Sequence, residues 1–447
     1  MSDALPLPPR PNLEQYKKLA KDFQRACKSS HPGAIRDWAA RWAETIARLQ
    51  GLAMTAEFQR QIDFEAERME DRWRQYQKTN DSAAKCTLAA AQFFVARGHG
   101  FASWPRFVRH IEALTRVNSP VSKFEEAADA IVSGDLATLK KLLSETPELI
   151  RARSTREHRS TLLHYVSANG VEDFRQKTPK NIIEITELLL KAGSDVRAES
   201  DAYGGHSTTL GLTATSWHPE HAGVQLPLID VLIQHGAIID GPDGGSAVNG
   251  CLQNGRGEAA EFFASRGARL DLEGAAGVGR LDVVRSFFDD DGRLKAPTTQ
   301  QQLKDAFAWA CEFGRTTVVE FLLQQGFEID TRLKHDGQTG LHWAALQGHL
   351  DTAKLLVQCG AAVDAKDESY GGTPLGWALY GWGNFQPAEL RATGVGGHYH
   401  EVVAVLARAG AKLDPSWFEG DEERERAFEK MRSDPIMLAA LRGETPA

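Results

Sequence analysis

The sequence of 447 residues contains no apolar run approaching the roughly 20 residues that a bilayer span requires. Its opening, MSDALPLPPRPN, lacks the charged and apolar regions of a signal peptide. Cysteine is scarce. Cys27, Cys86, Cys251, Cys311 and Cys359 are odd in number and scattered, with no C-x-x-C pair. The expectation is therefore buried, unbonded thiols in a reducing compartment, and a cytoplasmic protein. No Gly-rich phosphate loop precedes a helix, and G-x-S-x-G and zinc-protease motifs are missing. RNP, zinc-finger and recognition-helix patterns are missing too, so nucleic acid is not an expected partner.

What is present is a repeat, clearest at 336–364, DGQTGLHWAALQGHLDTAKLLVQCGAAVD. Asp336-Gly337 supplies a turn, and Thr339 can cap a first helix. Leu341, Ala344 and Ala345 recur at helical spacing, with small residues that allow close helix approach. Gly348 ends that helix. Ala353, Leu355, Leu356 and Val357 form a second apolar stripe, and Gly360 suits a left-handed helix end. The segment resembles the ankyrin repeat, T-P-L-H-x-A-A-x-x-G-H followed by V-x-L-L-L-x-x-G-A, with Gly340 where the family has proline.

Weaker copies flank it at 124–143, 160–195, 207–237, 244–271, 272–288, 305–327 and 367–411, about eight units in all. Three are enough for a stacked core. Trp309, Trp343 and Trp377 recur every 34 residues and are expected to pack between units. Extra residues at 171–181, 216–227, 292–302 and 382–398 mark enlarged loops, where function concentrates. The tail has a charged helix at 421–432 and an apolar one at 435–442, and it is expected to cap the last repeat.

Residues 1–118 carry no repeat. Helical spacing predicts helices over 12–28, 33–50, 55–78, 83–97 and 103–116, a small bundle. Ser103 is placed to cap the helix that Pro105 starts. The stretch 87–114, TLAAAQFFVARGHGFASWPRFVRHIEAL, is similar to a helical leader that precedes ankyrin repeats in many bacterial proteins. Residues 1–118 hold 19 Lys and Arg against 13 Asp and Glu, whereas the rest of the chain is acidic and the whole carries −8. Opposite charge predicts that the bundle docks on the repeats.

These readings give an all-α chain: a helical bundle over 1–118, an ankyrin-repeat solenoid with enlarged loops over 119–414, and capping helices over 415–447. The resemblance implies binding of a protein or peptide partner on the concave face. Contacts are expected from Glu312, Phe313, His335, Asp336, Gln338, Leu346, Gln347, Tyr370, Tyr380 and Trp382. His164, His342 and His349 fall in slots where the family uses histidine to tie adjacent loops. The alternative is an enzyme or small-ligand receptor. Its pocket would be closed by the loops around 203–226 and 380–400, with Tyr203, His206, Trp217, His218, His221, Tyr399 and His400. Two units, DAYGGHSTTLGLTA and DESYGGTPLGWAL, share Tyr-Gly-Gly and put Gly211 and Gly376 in the histidine slot. A helical glycine costs about 1 kcal/mol, so a close neighbour is expected at each, and the two loops are expected to form one locus. Neither a cofactor nor a metal is expected; the spacing of His206, His218 and His221 matches no metal motif.

Overall fold

The computed structural model describes residues 4–8, 11–49, 55–116, 118–241, 246–333, 337–385 and 397–444. They form two compact units, Met1–Ala237 and Ile238–Ala447.

The first unit opens with the bundle. Its main helices are Leu13–Cys27, Ala34–Leu49, Ala56–Thr79, Leu88–Gly98 and Trp104–Leu114. Their core is aromatic: Phe23, Trp73, Phe101 and Phe107 are fully buried. Asn12, Thr55 and Thr87 accept backbone N–H bonds as N-caps. Ser103 occupies the N-cap position of the last helix but makes no such bond; Pro105 in the first turn fixes the entry instead. Cys27 and Cys86 are joined by a disulfide, and Cys359 is exposed. Both findings depart from the expectation of buried thiols. The helix end at Cys27 and the left-handed turn at Cys86 bring the two Cα atoms to 5.9 Å across 59 residues. Cys251 and Cys311 are buried and unbonded.

Three helix pairs complete this unit: Pro120–Ser133 with Leu136–Glu145, Leu162–Ser167 with Ile182–Lys191, and Thr209–Thr215 with Gln225–Gln234. The bundle packs on the first of them through helices Trp104–Leu114 and Pro120–Ser133, and three consecutive residues of the loop after that pair add to the contact. Thr155 Oγ1 lies 2.7 Å from His110 Nδ1. Glu157 donates its N–H to the Gly100 carbonyl at 2.9 Å and pairs with Arg97. Between them, Arg156 lies over the Phe101 ring, 5.6 Å from its centroid.

Arg156 continues inward into a buried ion network. Its Nη1 donates to both Glu125 oxygens, at 2.9 and 2.8 Å, and lies 2.7 Å from Glu172 Oε1. Arg175 Nη1 donates to Glu125 Oε2 at 2.7 Å and to Glu172 at 3.4 Å, and its Nε donates to Asp129 at 2.7 Å. Tyr165 OH donates to Glu172 at 3.3 Å. The Glu172 side chain has no exposed surface and that of Arg156 has 1%. Burial alone would raise both glutamates. Arg156 and then Arg175 outweigh it and hold the carboxyls below their ordinary range. The insert at 171–181 thus supplies two of the four central charges.

The second unit holds five helix pairs among the described residues, from Ala247–Gln253 with Gly257–Ser265 to Pro374–Asn384 with Tyr399–Arg408. Ala344, Ala345, Ala353 and Leu356 are fully buried. Leu355, expected beside them, is only half-buried. Gly340 replaces proline for a steric reason: a Cβ there would stand 2.7 Å from Phe307 and 2.8 Å from Cys311. Gly360 has φ 90°, as its role at a helix end requires. Trp309 is 6% exposed, and Trp343 packs half-buried against the same core. Helices Glu422–Ser433 and Pro435–Leu441 pack on the last pair. Gly383 lets Ala427 approach the helix backbone, which a side chain there would prevent.

His342 Nδ1 accepts the Thr339 N–H at 3.1 Å, so its proton sits on Nε2, which donates to the Gly372 carbonyl at 3.1 Å. His164 is bonded in the same way to Thr161 and Ser207, and His349 Nε2 donates to the Glu312 carbonyl at 2.8 Å. The loop-tying role therefore holds for all three. Burial pushes His164 and His342 down to about 4, and in the bundle it pushes His110 to about 4 and His99 to about 3.

Three outcomes are expected. Leu356→Ala should cost about 2–5 kcal/mol in denaturant unfolding, and Leu355→Ala clearly less; equal losses would contradict the register. Glu172→Gln should cost about 3–5 kcal/mol, because it strands buried guanidiniums; a wild-type melting temperature would contradict the network. The four depressed histidines favour the neutral form in the fold, so below about pH 6.5 the unfolded chain takes protons that the folded chain refuses. Stability should fall from about pH 6.5 towards 4, by up to roughly 1.4 kcal/mol per pH unit for each histidine. Below about pH 4.5 the two glutamates add to the loss. Melting curves at pH 7, 6 and 5 check this, and a flat profile would contradict it.

Candidate partner-binding surface

In the first unit, strands Glu199–Ser200 and Ser207–Thr208 pair antiparallel, with Glu199 opposite Thr208. The turn between them carries the first Tyr-Gly-Gly. Tyr203, Gly204, Gly205 and His206 have φ of 52°, 100°, 113° and 58°. Tyrosine and histidine rarely adopt the left-handed region, and each such residue costs on the order of 1–3 kcal/mol. The turn is held by its surroundings. Tyr203 OH donates to Asn169 Oδ1 at 2.6 Å, and Asn169 in turn donates to the Leu212 carbonyl at 3.1 Å. His206 Nδ1 lies 2.7 Å from Glu199. Tyr203 is nevertheless 63% exposed.

The insert that follows is equally fixed. Buried Gln225 donates to the carbonyls of Thr213, Ala214 and Ser216 at 3.0, 3.2 and 3.1 Å, which closes helix Thr209–Thr215. A short helix, Trp217–His221, is pinned by buried Pro219. Trp217 stacks on His221 with centroids 4.4 Å apart and is 41% exposed. His218 is half-buried beneath it; burial lowers its pKa, and Asp173 partly opposes the shift. Among the described residues no group of three or more His, Cys, Asp or Glu is placed to hold a metal ion.

The second Tyr-Gly-Gly, in the other unit, is built differently. Buried Asp367 accepts the N–H groups of Tyr370 at 2.6 Å and Gly372 at 2.7 Å, and the Trp377 indole N–H at 3.0 Å. Only Gly371 is left-handed, and Tyr370 is 54% exposed. The glycines are explained here. A Cβ on Gly372 would meet Trp417 at 2.7 Å, and one on Gly376 would meet the same ring at 3.1 Å. The close neighbour expected at Gly376 is thus Trp417 of the capping segment. At Gly211 a Cβ would meet only Thr208 Oγ1, at 3.4 Å, so no close neighbour accounts for that glycine.

The remaining expected contacts divide clearly. Phe313, Gln338 and Leu346 are buried in the stack and present no surface to a partner. Tyr399, expected at a loop pocket, is 3% exposed and donates to the Leu346 carbonyl at 3.0 Å. Tyr380 is engaged by Glu423, and Lys430 Nζ lies 4.3 Å from the Trp382 ring centroid. His400 meets the Trp382 ring and Asp434, so these three serve the cap. Glu312 and Gln347 are half-buried. His335 and Asp336 lie outside the described residues, as do 386–396 of the 380–400 loop. The returning end of that loop is tied down: Gly397 and His398 donate to the carbonyls of Gln347 and Gly348 at 3.1 and 3.2 Å.

Sequence reasoning missed Asn169, Gln225 and the Glu125–Arg156–Glu172–Arg175 network. Its nearest signal was the insert at 171–181, which breaks the repeat length and carries charges of both signs.

A family model described as ankyrin repeats in three copies matches residues 272–367 and 307–390. No curated protein matches. Among solved structures, the human ASB11 ankyrin repeat domain is similar at 20% identity, over 54% of this chain and 100% of that one, with a TM-score of 0.30. Among the described residues no helix is long and apolar enough to cross a membrane. The chain is an all-α protein that carries ankyrin repeats.

Proposed function

We propose that this chain is an ankyrin-repeat scaffold that binds a protein or peptide partner, and that Tyr203 and Trp217 anchor the contact. The observation that carries the reading is the turn at 203–206. It holds a tyrosine in a left-handed conformation, fixes its hydroxyl on Asn169 and leaves the ring 63% exposed. Strain kept in place around an exposed aromatic favours a binding role. Tyr and Trp supply large contact areas at low entropic cost, and pre-organised ones lose least on binding. Tyr370 is the corresponding candidate in the second unit. The resemblance of 87–114 to a bacterial leader belongs to the same reading. So does a cytoplasmic setting, which the buried thiols Cys251 and Cys311 support and the Cys27–Cys86 bond opposes.

A photo-reactive amino acid at 203 or 217 should capture the partner in cells, whereas the same group at exposed Lys191 should not. With the captured partner in hand, Tyr203→Gly should weaken binding by roughly 10- to 100-fold. It should lower stability by no more than about 1 kcal/mol, because glycine relieves the left-handed turn and so offsets the hydrogen bonding lost with the hydroxyl. Unchanged affinity in both Tyr203→Gly and Trp217→Ala would overturn the reading.

A further inference from the structure

Residues 4–8, ALPLP, lie on the bundle as a strap that belongs to no helix or sheet. Each leucine precedes a proline, which disfavours the helical conformation and keeps the leucine extended. Leu5 and Leu7 pack against the aromatic core, and Ala4 is buried. Leu5 carries the strap's backbone bonds among the described residues. It donates its N–H to the Gly98 carbonyl at 2.8 Å, and its own carbonyl lies 2.9 Å from His99 Nδ1. A carbonyl only accepts, so His99 donates from Nδ1.

The turn at 98–100 is shaped for this contact. The His99 ring stacks on Phe107 with centroids 5.3 Å apart and meets Tyr16 and Trp42 edge-on, so its donor is pre-organised. A Cβ on Gly98 would stand 2.8 Å from the Trp42 ring and 3.7 Å from Leu5. One on Gly100 would stand 3.2 Å from Ala4 and 3.5 Å from Arg156. The strap nevertheless leaves space beside it. A cavity of about 230 Å³ borders Ala4 and Leu5, and a groove of about 760 Å³ borders Pro6 and Pro8; Trp42 lines both. A peptide with the same backbone bonds and larger side chains would bury more apolar area than the strap does.

We infer that the turn at 98–100 and the Trp42 face form a binding site for an extended leucine–proline peptide. The chain's own strap fills it in cis, and the peptide of a partner protein takes its place. Gly98 and His99 read the main chain, and the aromatic face selects leucine beside proline. Tyr203 and Trp217 take no part in this site, so it does not depend on the contact proposed for them.

Fluorescence anisotropy on the full chain tests this, with labelled acetyl-ALPLP-amide as the probe. In wild type the tethered strap competes at an effective concentration on the order of millimolar. Leu5→Asp would bury a carboxylate against the aromatic core, so its strap should leave. That variant should bind the probe at least about tenfold more tightly than wild type. A probe N-methylated at its first leucine lacks the N–H given to Gly98 and should bind about fivefold more weakly. If Leu5→Asp fails to fold, hydrogen exchange in wild type decides: the Leu5 amide should open at least about 100-fold more often than that of Val95. No probe binding to Leu5→Asp, indifference to the N-methyl group, or a Leu5 amide that opens only with Val95 would each overturn the inference. A dimeric wild type beside a monomeric Leu5→Asp chain in sedimentation would overturn the partner's peptide in favour of strap exchange between copies.

Discussion

The buried pairing of Arg156 and Arg175 with Glu125 and Glu172 is the constraint on which the first unit depends. Each ion taken out of water costs several kcal/mol, and only a near-complete set of partners offsets that. The four groups come from three places: Glu125 from the first repeat helix, Arg156 from the loop after the first pair, and Glu172 and Arg175 from the insert. None can move without stranding the others. Because Thr155, Arg156 and Glu157 also carry the contact to the bundle, the network fixes where the bundle sits on the repeats. A buried network of this kind specifies an arrangement more than it adds stability.

The candidate surface follows from the same constraint. The insert places Asp173 near His218 and Tyr203, where its charge acts on both. Asn169, which holds the Tyr203 hydroxyl, lies just before the insert and is bonded to the next repeat helix through the Leu212 carbonyl. Rigid support from the core therefore reaches a strained turn at the surface. The second Tyr-Gly-Gly obtains order from Asp367 and from Trp417 of the cap, with most of its φ angles ordinary. A shared tripeptide thus hides two different turns. In the first, two residues separate Gly205 from the capping Thr208; in the second, Thr373 follows Gly372 directly.

The repeats were legible because their signals are local. Glycines at helix ends and apolar residues at helical spacing need no tertiary information, and the five bundle helices fall within a few residues of their expected places, except that the one expected over 83–97 begins at Leu88. The histidine slots were legible for the same reason, since each ties a loop one repeat away. The misses are all non-local. Glu125 sits in FEEAADAIV as one of two adjacent glutamates, and nothing nearby marks it as the buried one. Its partners lie 31 and 50 residues away. The Cys27–Cys86 bond likewise exists only once helices have packed. Burial of Phe313 and Tyr399 depends on which face of a helix meets its neighbour, which the repeat register alone did not resolve.

The central claim is that the ion network makes the bundle and the first repeats one cooperative body. Native-state hydrogen exchange measures this most directly, because it reports the opening free energy of each segment. The slowest amides of the bundle, such as those of Val95 and Phe107, and of the first repeat, such as those of Ala128 and Ile131, should share one opening free energy. In an Arg156→Met chain that common value should fall together in both. A bundle that opens independently at its own free energy, unchanged when Arg156 is replaced, would contradict the account.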